Sequence, residues 1–167
     1  MRDIAKPTAQ DCVLISGAGG AVGTIAGQIA KLEGARVVGI VGSQAKADWL
    51  CHSLGYDAAV LRRGDTPLPD AIQAACPDGI DVFFDNVGGQ SLEAAITNMN
   101  HRGRLVLCGA ISGYGVTPHG PGNLFEVVTK ELSIEGFMTH FRHERYDEAR
   151  DQLSNWLREG IIQSPEH

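Results

Sequence analysis

Between residues 16 and 23 the chain reads Ser-Gly-Ala-Gly-Gly-Ala-Val-Gly, with Gly17, Gly20 and Gly23 at every third position. That spacing suits a backbone that must turn tightly and come close to an anion. Gly17 can take the turn, Gly20 has no side chain to hold a pyrophosphate away, and Gly23 lets a following helix approach. The amides of Ala21 and Val22 at the helix N-terminus, aided by the helix dipole, then favour a phosphate. The plainer reading is a turn that only packs a helix closely, helped by Gly27. A second group of residues bears on which nucleotide would bind. From Arg36 to Ala47 there is no Asp or Glu, although a site for NAD uses a carboxylate there on the adenosine ribose. Gly42-Ser43-Gln-Ala-Lys46 instead offers a hydroxyl, helix amides and an ammonium, and Arg62 and Arg63 follow the neighbouring strand. Guanidinium groups grip a phosphate through two parallel bonds. Together these residues predict NADP(H) as cofactor; the bland alternative is three solvated surface cations. No Gly-Lys dipeptide occurs, which excludes a Walker A loop.

The glycine turn has meaning only between a strand and a helix, and the surrounding sequence supplies both. Cys12–Ser16 is a short branched apolar run, as in a strand buried on both faces. Val22, Ile25, Ala26, Ile29 and Ala30 then share one helical face up to Gly34, a C-cap. Residues 36–42 form the second strand, and Ser43 caps a helix that runs to Gly55. The alternation continues with strands at 58–61, 80–84 and 104–109 and helices near 68–76 and 91–98. A less regular stretch spans 111–121, followed by a short helix at 124–129, a sixth strand at 132–137 and an amphipathic helix from 145 to 160. Parallel strands need crossovers, and right-handed helical crossovers cover both faces of a sheet. The expected fold is therefore α/β: a Rossmann-type, doubly wound, six-stranded parallel sheet with helices on both faces, forming one domain over residues 1–167. Twenty-one glycines in 167 residues are nearly twice the usual share of about 7%, and they sit where apolar runs end.

Other chemistries are poorly served. His140 and His143 lack a nearby third ligand, so no metal site is expected. Cys108 at a strand end reads as a small buried hydrophobe, and no G-x-S-x-G elbow occurs. None of the three tyrosines is followed four residues later by Lys, as a short-chain dehydrogenase requires. A net charge of −6 argues against a general nucleic-acid binder. No apolar run reaches the roughly 18 residues of a membrane span. Four cysteines without a C-x-x-C pair, and an N-terminus unlike a signal peptide, predict a reducing, cytoplasmic setting.

With these residues in place, the chain resembles the nucleotide-binding domain of zinc-independent medium-chain dehydrogenases and reductases. Within them it is most similar to the leukotriene 12-hydroxydehydrogenase and prostaglandin reductase branch of alkenal double-bond reductases. The resemblance rests on residues 19–23, 27–32, 38–43 with Lys46, 78–89 (ending Phe-Asp-Asn-Val-Gly-Gly), 103–112 (ending Cys-Gly-Ala-Ile-Ser) with Tyr114, and 135–137. It implies NADPH-dependent reduction of a carbon–carbon double bond conjugated to a ketone or aldehyde, with hydride going to the β-carbon. Lys46 would hold the 2′-phosphate, Asn86 and Val87 would line the cofactor crevice, and Cys108, Gly109, Ala110 and Ile111 would run beside ribose and nicotinamide. Phe137, Met138 and Thr139 would meet the carboxamide through their backbone, with Tyr114 nearby. Several relatives have Tyr where this chain has Thr129 and where it has Arg62. Tyr114 and Thr129 are thus the weak catalytic candidates, Thr129 with the shorter reach. Members also carry a substrate domain built from chain on both sides of the nucleotide domain. Both flanks are missing here, so a cofactor domain with low turnover of its own is expected. A quinone reductase of the same superfamily and a non-catalytic NADP(H) sensor are the alternative readings. Leu132, Ile134 and Phe137 around an edge strand predict a homodimer.

Overall fold

Cys12–Ser16 is buried at every position and pairs on both sides, so it forms the middle of a sheet and not an edge. We call it β1. A computed structural model describes residues 1–115 and 120–164. In chain order the further elements are α1 (Ala21–Leu32), β2 (Arg36–Val41), α2 (Gln44–Ser53), β3 (Ala58–Leu61) and α3 (Leu68–Ala75). They are followed by β4 (Ile80–Asp85), α4 (Gln90–Asn98), β5 (Met99–Leu107), α5 (Phe125–Thr129), β6 (Ser133–Gly136) and α6 (Tyr146–Arg158). Short 3₁₀ segments lie at Ile111–Gly113 and Thr139–Arg145. Part of the irregular stretch expected over 111–121 lies outside the described residues.

The sheet has the order β3-β2-β1-β4-β5-β6, and every pairing is parallel. Successive residues of β1 feed opposite faces. Val13 and Ile15 pack with Ala26, Ala30, Leu50 and Tyr56 on one side, while Cys12 and Leu14 pack with Ile72, Ile96 and Leu105 on the other. Each large aliphatic side chain buried this way contributes about 1.5–3 kcal/mol. The chain winds outward through β2 and β3, then returns to lay β4 on the other side of β1. That reversal opens a crevice at the carboxyl ends of β1 and β4, where doubly wound sheets bind ligands.

Three expectations need correction. The face of α1 that meets the sheet consists of Gly23, Thr24, Ala26, Gly27, Gln28 and Ala30, whereas Val22 is half exposed. The reason is Tyr56, whose ring fills the place beside Gly27: a Cβ there would stand 2.1 Å from the ring and its hydroxyl. The helix lies too close for branched residues. The fifth strand also begins earlier than expected, at Met99, with a shift in register against β4 between Ile80 and Val82. The segment 139–145, unassigned by pattern, coils into a 3₁₀ turn. At the far edge, all four residues of β6 are exposed. No helix among the described residues is long and apolar enough to cross a membrane.

Candidate functional site

β1 ends in Ser16, and Gly17 then turns the chain with a left-handed φ of +59°. Added Cβ atoms show how closely the turn is built. At Gly23 one would lie 2.4 Å from the Gly17 carbonyl oxygen and 2.6 Å from Ala18 Cα, and at Gly20 one would lie 3.3 Å from that same oxygen. No side chain caps α1, and its first turn carries no acid. The leading amides of α1 therefore remain available to an anion in front of them.

β2 delivers the second part. Beyond Val41 and Gly42, Ser43 caps α2 by accepting from the Lys46 backbone N–H at 3.4 Å. The Lys46 stem folds over Gly19, whose added Cβ would come within 2.9 Å of Lys46 Cδ. Arg62 reaches the same cleft from the end of β3, where its backbone N–H donates to the Val41 carbonyl at 2.8 Å. Among the described residues no carboxylate pairs with Lys46 or Arg62, so both charges are free for a ligand.

β4 and β5 build the opposite wall. Asn86 Nδ2 donates to the Ser16 carbonyl at 2.7 Å, and the amides of Ile111 and Ser112 donate to the carbonyls of Asn86 and Val87 at 3.3 and 3.0 Å. The resulting cleft holds about 720 Å³ and brings together Gly17, Gly20, Ala21, Val22, Gly23, Gly42, Lys46, Arg62, Asn86, Val87, Cys108, Ile111 and Tyr114. A second cleft of about 790 Å³ continues from it at Cys108 and Tyr114, and gathers Gly109, Ala110, Phe137 and Met138. Phe137 is held by its ring against Phe84, with centroids 6.3 Å apart. Burial pushes the Cys108 thiol above its ordinary range, which suits a wall and not a nucleophile.

Not every expected residue arrives here. Ser43 stands one residue behind the cleft lining, as the cap of α2, and Thr139 opens the 3₁₀ segment beyond Met138. Arg63 and Thr129 line neither cleft; the Thr129 hydroxyl donates to the Glu126 carbonyl at 3.3 Å. Other residues take part without having been expected. Gly19 seats Lys46, the Ser112 hydroxyl donates to the Val87 carbonyl at 2.5 Å, and buried Ser16 and Asp85 hold the strand ends together. The signal for Asp85 was an acid closing an otherwise apolar strand, Val-Phe-Phe-Asp.

The architecture fits a dinucleotide. It has a glycine cradle that side chains would fill, uncapped helix amides, two unpaired cations at one end and, at the other, a mostly apolar chamber with Asp85, Arg142 and Glu144 in its lining. Among the described residues no group of three or more His, Cys, Asp or Glu is placed to hold a metal ion.

Known proteins share this sequence and fold. The sequence profile of the family described as "Zinc-binding dehydrogenase" matches residues 21–155. Prostaglandin reductase 1 of Bos taurus is 44% identical over 168 residues, covering 99% of this chain and 51% of its own length. The 2-alkenal reductase (NADP(+)-dependent) of Nicotiana tabacum is 36% identical, covering 96% of this chain and 47% of its own. Among solved structures, CurA of Vibrio vulnificus in complex with NADPH superposes with a TM-score of 0.90 at 34% identity, covering 99% of this chain and 51% of CurA. The chain thus spans about half the length of the curated relatives it matches.

Proposed function

The chain belongs to the zinc-binding dehydrogenase family, and from that premise we propose that it is the NADP(H)-binding domain of an enone or alkenal reductase of the zinc-independent kind. The observation that carries the reading is the pairing of an open glycine cradle with two free cations, Lys46 seated on Gly19 and Arg62 at the end of β3. The cradle and the leading amides of α1 would hold the pyrophosphate. Lys46 and Arg62, beside the capped start of α2, would hold the 2′-phosphate that distinguishes NADPH from NADH. Asn86, Val87 and residues 108–111 would wall the ribose and nicotinamide, with the backbone of residues 137–139 meeting the carboxamide.

When bound, the cofactor supplies a hydride to the β-carbon of the conjugated double bond. The chain's own part is to fix that group against the apolar walls of the second cleft, between Tyr114 and Phe137, and to exclude water there. The substrate, an α,β-unsaturated ketone or aldehyde, would enter from the open side of this cleft, which a flanking substrate domain would close.

The open edge of β6 supports a homodimer in which two sheets join edge to edge. Four free thiols suit a reducing compartment such as the cytoplasm.

Calorimetric titration of this chain with NADPH and then NADH tests the proposal. Tight NADPH binding with NADH at least tenfold weaker is expected; equal affinities would remove the 2′-phosphate assignment. Light scattering at working concentration tests the dimer, and a monomer mass would overturn it.

A further inference from the structure

Ser16 and Asp85 end β1 and β4, the two strands that flank the reversal of the sheet, and both are buried, at 0% and 1% exposure. The Ser16 hydroxyl donates to Asp85 Oδ1 at 2.6 Å and accepts the Asn86 amide at 2.8 Å. The amides of Val87 and Gly88 donate to the same Oδ1 at 2.9 and 3.0 Å, and Gly88 also reaches Oδ2 at 3.1 Å. Every one of these donors is neutral. Among the described residues no Lys, Arg or His forms an ion pair with Asp85. The carboxylate sits just before the N-terminus of α4, whose dipole favours a negative charge there.

Burying a charge without a counterion is costly, and the turn does not require one. Three of the four bonds end on Oδ1, which the amide oxygen of an Asn would also accept; the fourth, from Gly88 to Oδ2, would be lost because an amide nitrogen only donates, but the Gly88 amide keeps its bond to Oδ1. What a neutral residue could not supply is a buried negative charge beside the second cleft, whose lining includes Asp85 together with Cys108, Tyr114 and Phe137, and also the more exposed and opposite charges of Arg142 and Glu144. That cleft is the one assigned above to the nicotinamide.

We propose that Asp85 sets the redox preference of the site, favouring the oxidised, positively charged nicotinamide over the reduced, neutral one. The inference rests on the NADP(H) reading of the cleft. Giving up a hydride, a proton with two electrons, to the substrate β-carbon would push the double-bond pair onto the carbonyl side as an enolate, which then takes a proton from solvent, and would leave the nicotinamide ring with one additional positive charge. A fixed anion nearby stabilises that charge as it develops, through a medium where such interactions are stronger than in water. Asp85 touches neither reactant in this scheme; it acts through position and field.

Titration of the wild type and of Asp85→Asn with NADPH and with NADP⁺, at fixed ionic strength, tests this by binding alone. In the variant the ratio of dissociation constants, NADP⁺ over NADPH, should rise about tenfold, equivalent to 1.4 kcal/mol. Ser16→Ala, which removes a neutral bond and keeps the charge, should weaken both nucleotides together and leave the ratio unmoved. An unchanged ratio in Asp85→Asn overturns the inference and leaves Asp85 as a structural clamp. If that variant does not fold, the wild type decides. NADP⁺ bound more tightly than NADPH upholds the inference, and the reverse order overturns it. Failure of the wild type to bind either nucleotide is a distinct result, which overturns the cofactor reading itself and this inference with it.

Discussion

The two halves of the sheet are finished differently. Around β1, β2 and β4, helices lie close against the strands, small residues meet large ones, and the crevice is fastened by hydrogen bonds between strand ends. Beyond β5 the packing thins. α5, β6 and α6 contain no buried residue, and Phe125 and Phe141 are each 75% exposed. The contrast separates two tasks. The first half builds the cleft proposed for the cofactor from closely packed elements; the second leaves apolar side chains exposed. On the proposed reading, phosphate recognition would sit where the fold is self-sufficient, while the chamber for the variable part of the chemistry would open toward the more exposed side.

Gly27→Ala probes the closed half most severely. With Tyr56 only 2.1 Å from the new Cβ, overpacking should cost about 3 kcal/mol or more in urea unfolding, whereas Gly113→Ala, whose Cβ meets nothing within 4 Å, should stay within about 0.5 kcal/mol. Comparable losses at both sites would break the comparison. Lys46→Ala should weaken NADPH by tenfold to a hundredfold, the range for about 1.5–3 kcal/mol from a charged hydrogen bond, while NADH affinity stays unchanged in the same calorimeter.

A smaller effect is expected at Asp57. Burial alone would push its carboxyl up, but bonds from Lys31 Nζ at 2.9 Å and the Val37 amide at 2.7 Å together hold it below the ordinary range. A carboxyl lowered on folding adds stability above its unfolded value, about 3.9, and loses it as pH falls through the lower folded value. The gap between wild type and Asp57→Asn should thus be present at pH 7, about 1 kcal/mol or less for so exposed a pair, and close below pH 4. Denaturant curves at several pH values check it. Smallest of all, Phe125→Ser should change stability by under about 0.5 kcal/mol in the same denaturant curves. A loss above 1 kcal/mol would mean that the open half is internally supported after all.

What could be read from the sequence followed the same division. Strands announced themselves as short branched runs closed by glycine, and the turn at Gly17 to Gly23 was legible because its whole meaning lies within eight residues. Local signals also placed Lys46 and Arg62, since each follows a strand whose neighbours were known. The Ser16–Asp85 bond was not legible, because its partners are 69 residues apart and neither belongs to a periodic pattern. The packing face of α1 was misread for a similar reason. Its apolar periodicity named Val22, Ile25 and Ile29, but the contact is decided by a tyrosine 29 positions after Gly27. The 3₁₀ turn at 139–145 carries no capping or periodic signature at all.

Tyr56 donates its hydroxyl to the Gly23 carbonyl at 2.7 Å, and its ring also lies 3.1 Å from where a Cβ on Gly39 would stand. Positions 27, 39 and 56 therefore hold one volume in common, and none of them can be inherited independently of the other two. A side chain gained at 27 is tolerable only in a lineage that has already given up bulk at 56, and one gained at 39 needs room beside Ala18 and Leu50 as well, whose atoms would stand 2.8 and 2.9 Å from it. The effect of Gly27→Ala should shrink, or change sign, when Tyr56→Ala is made first. The order in which such changes arise, and not only their sum, then limits which sequences can descend from this one.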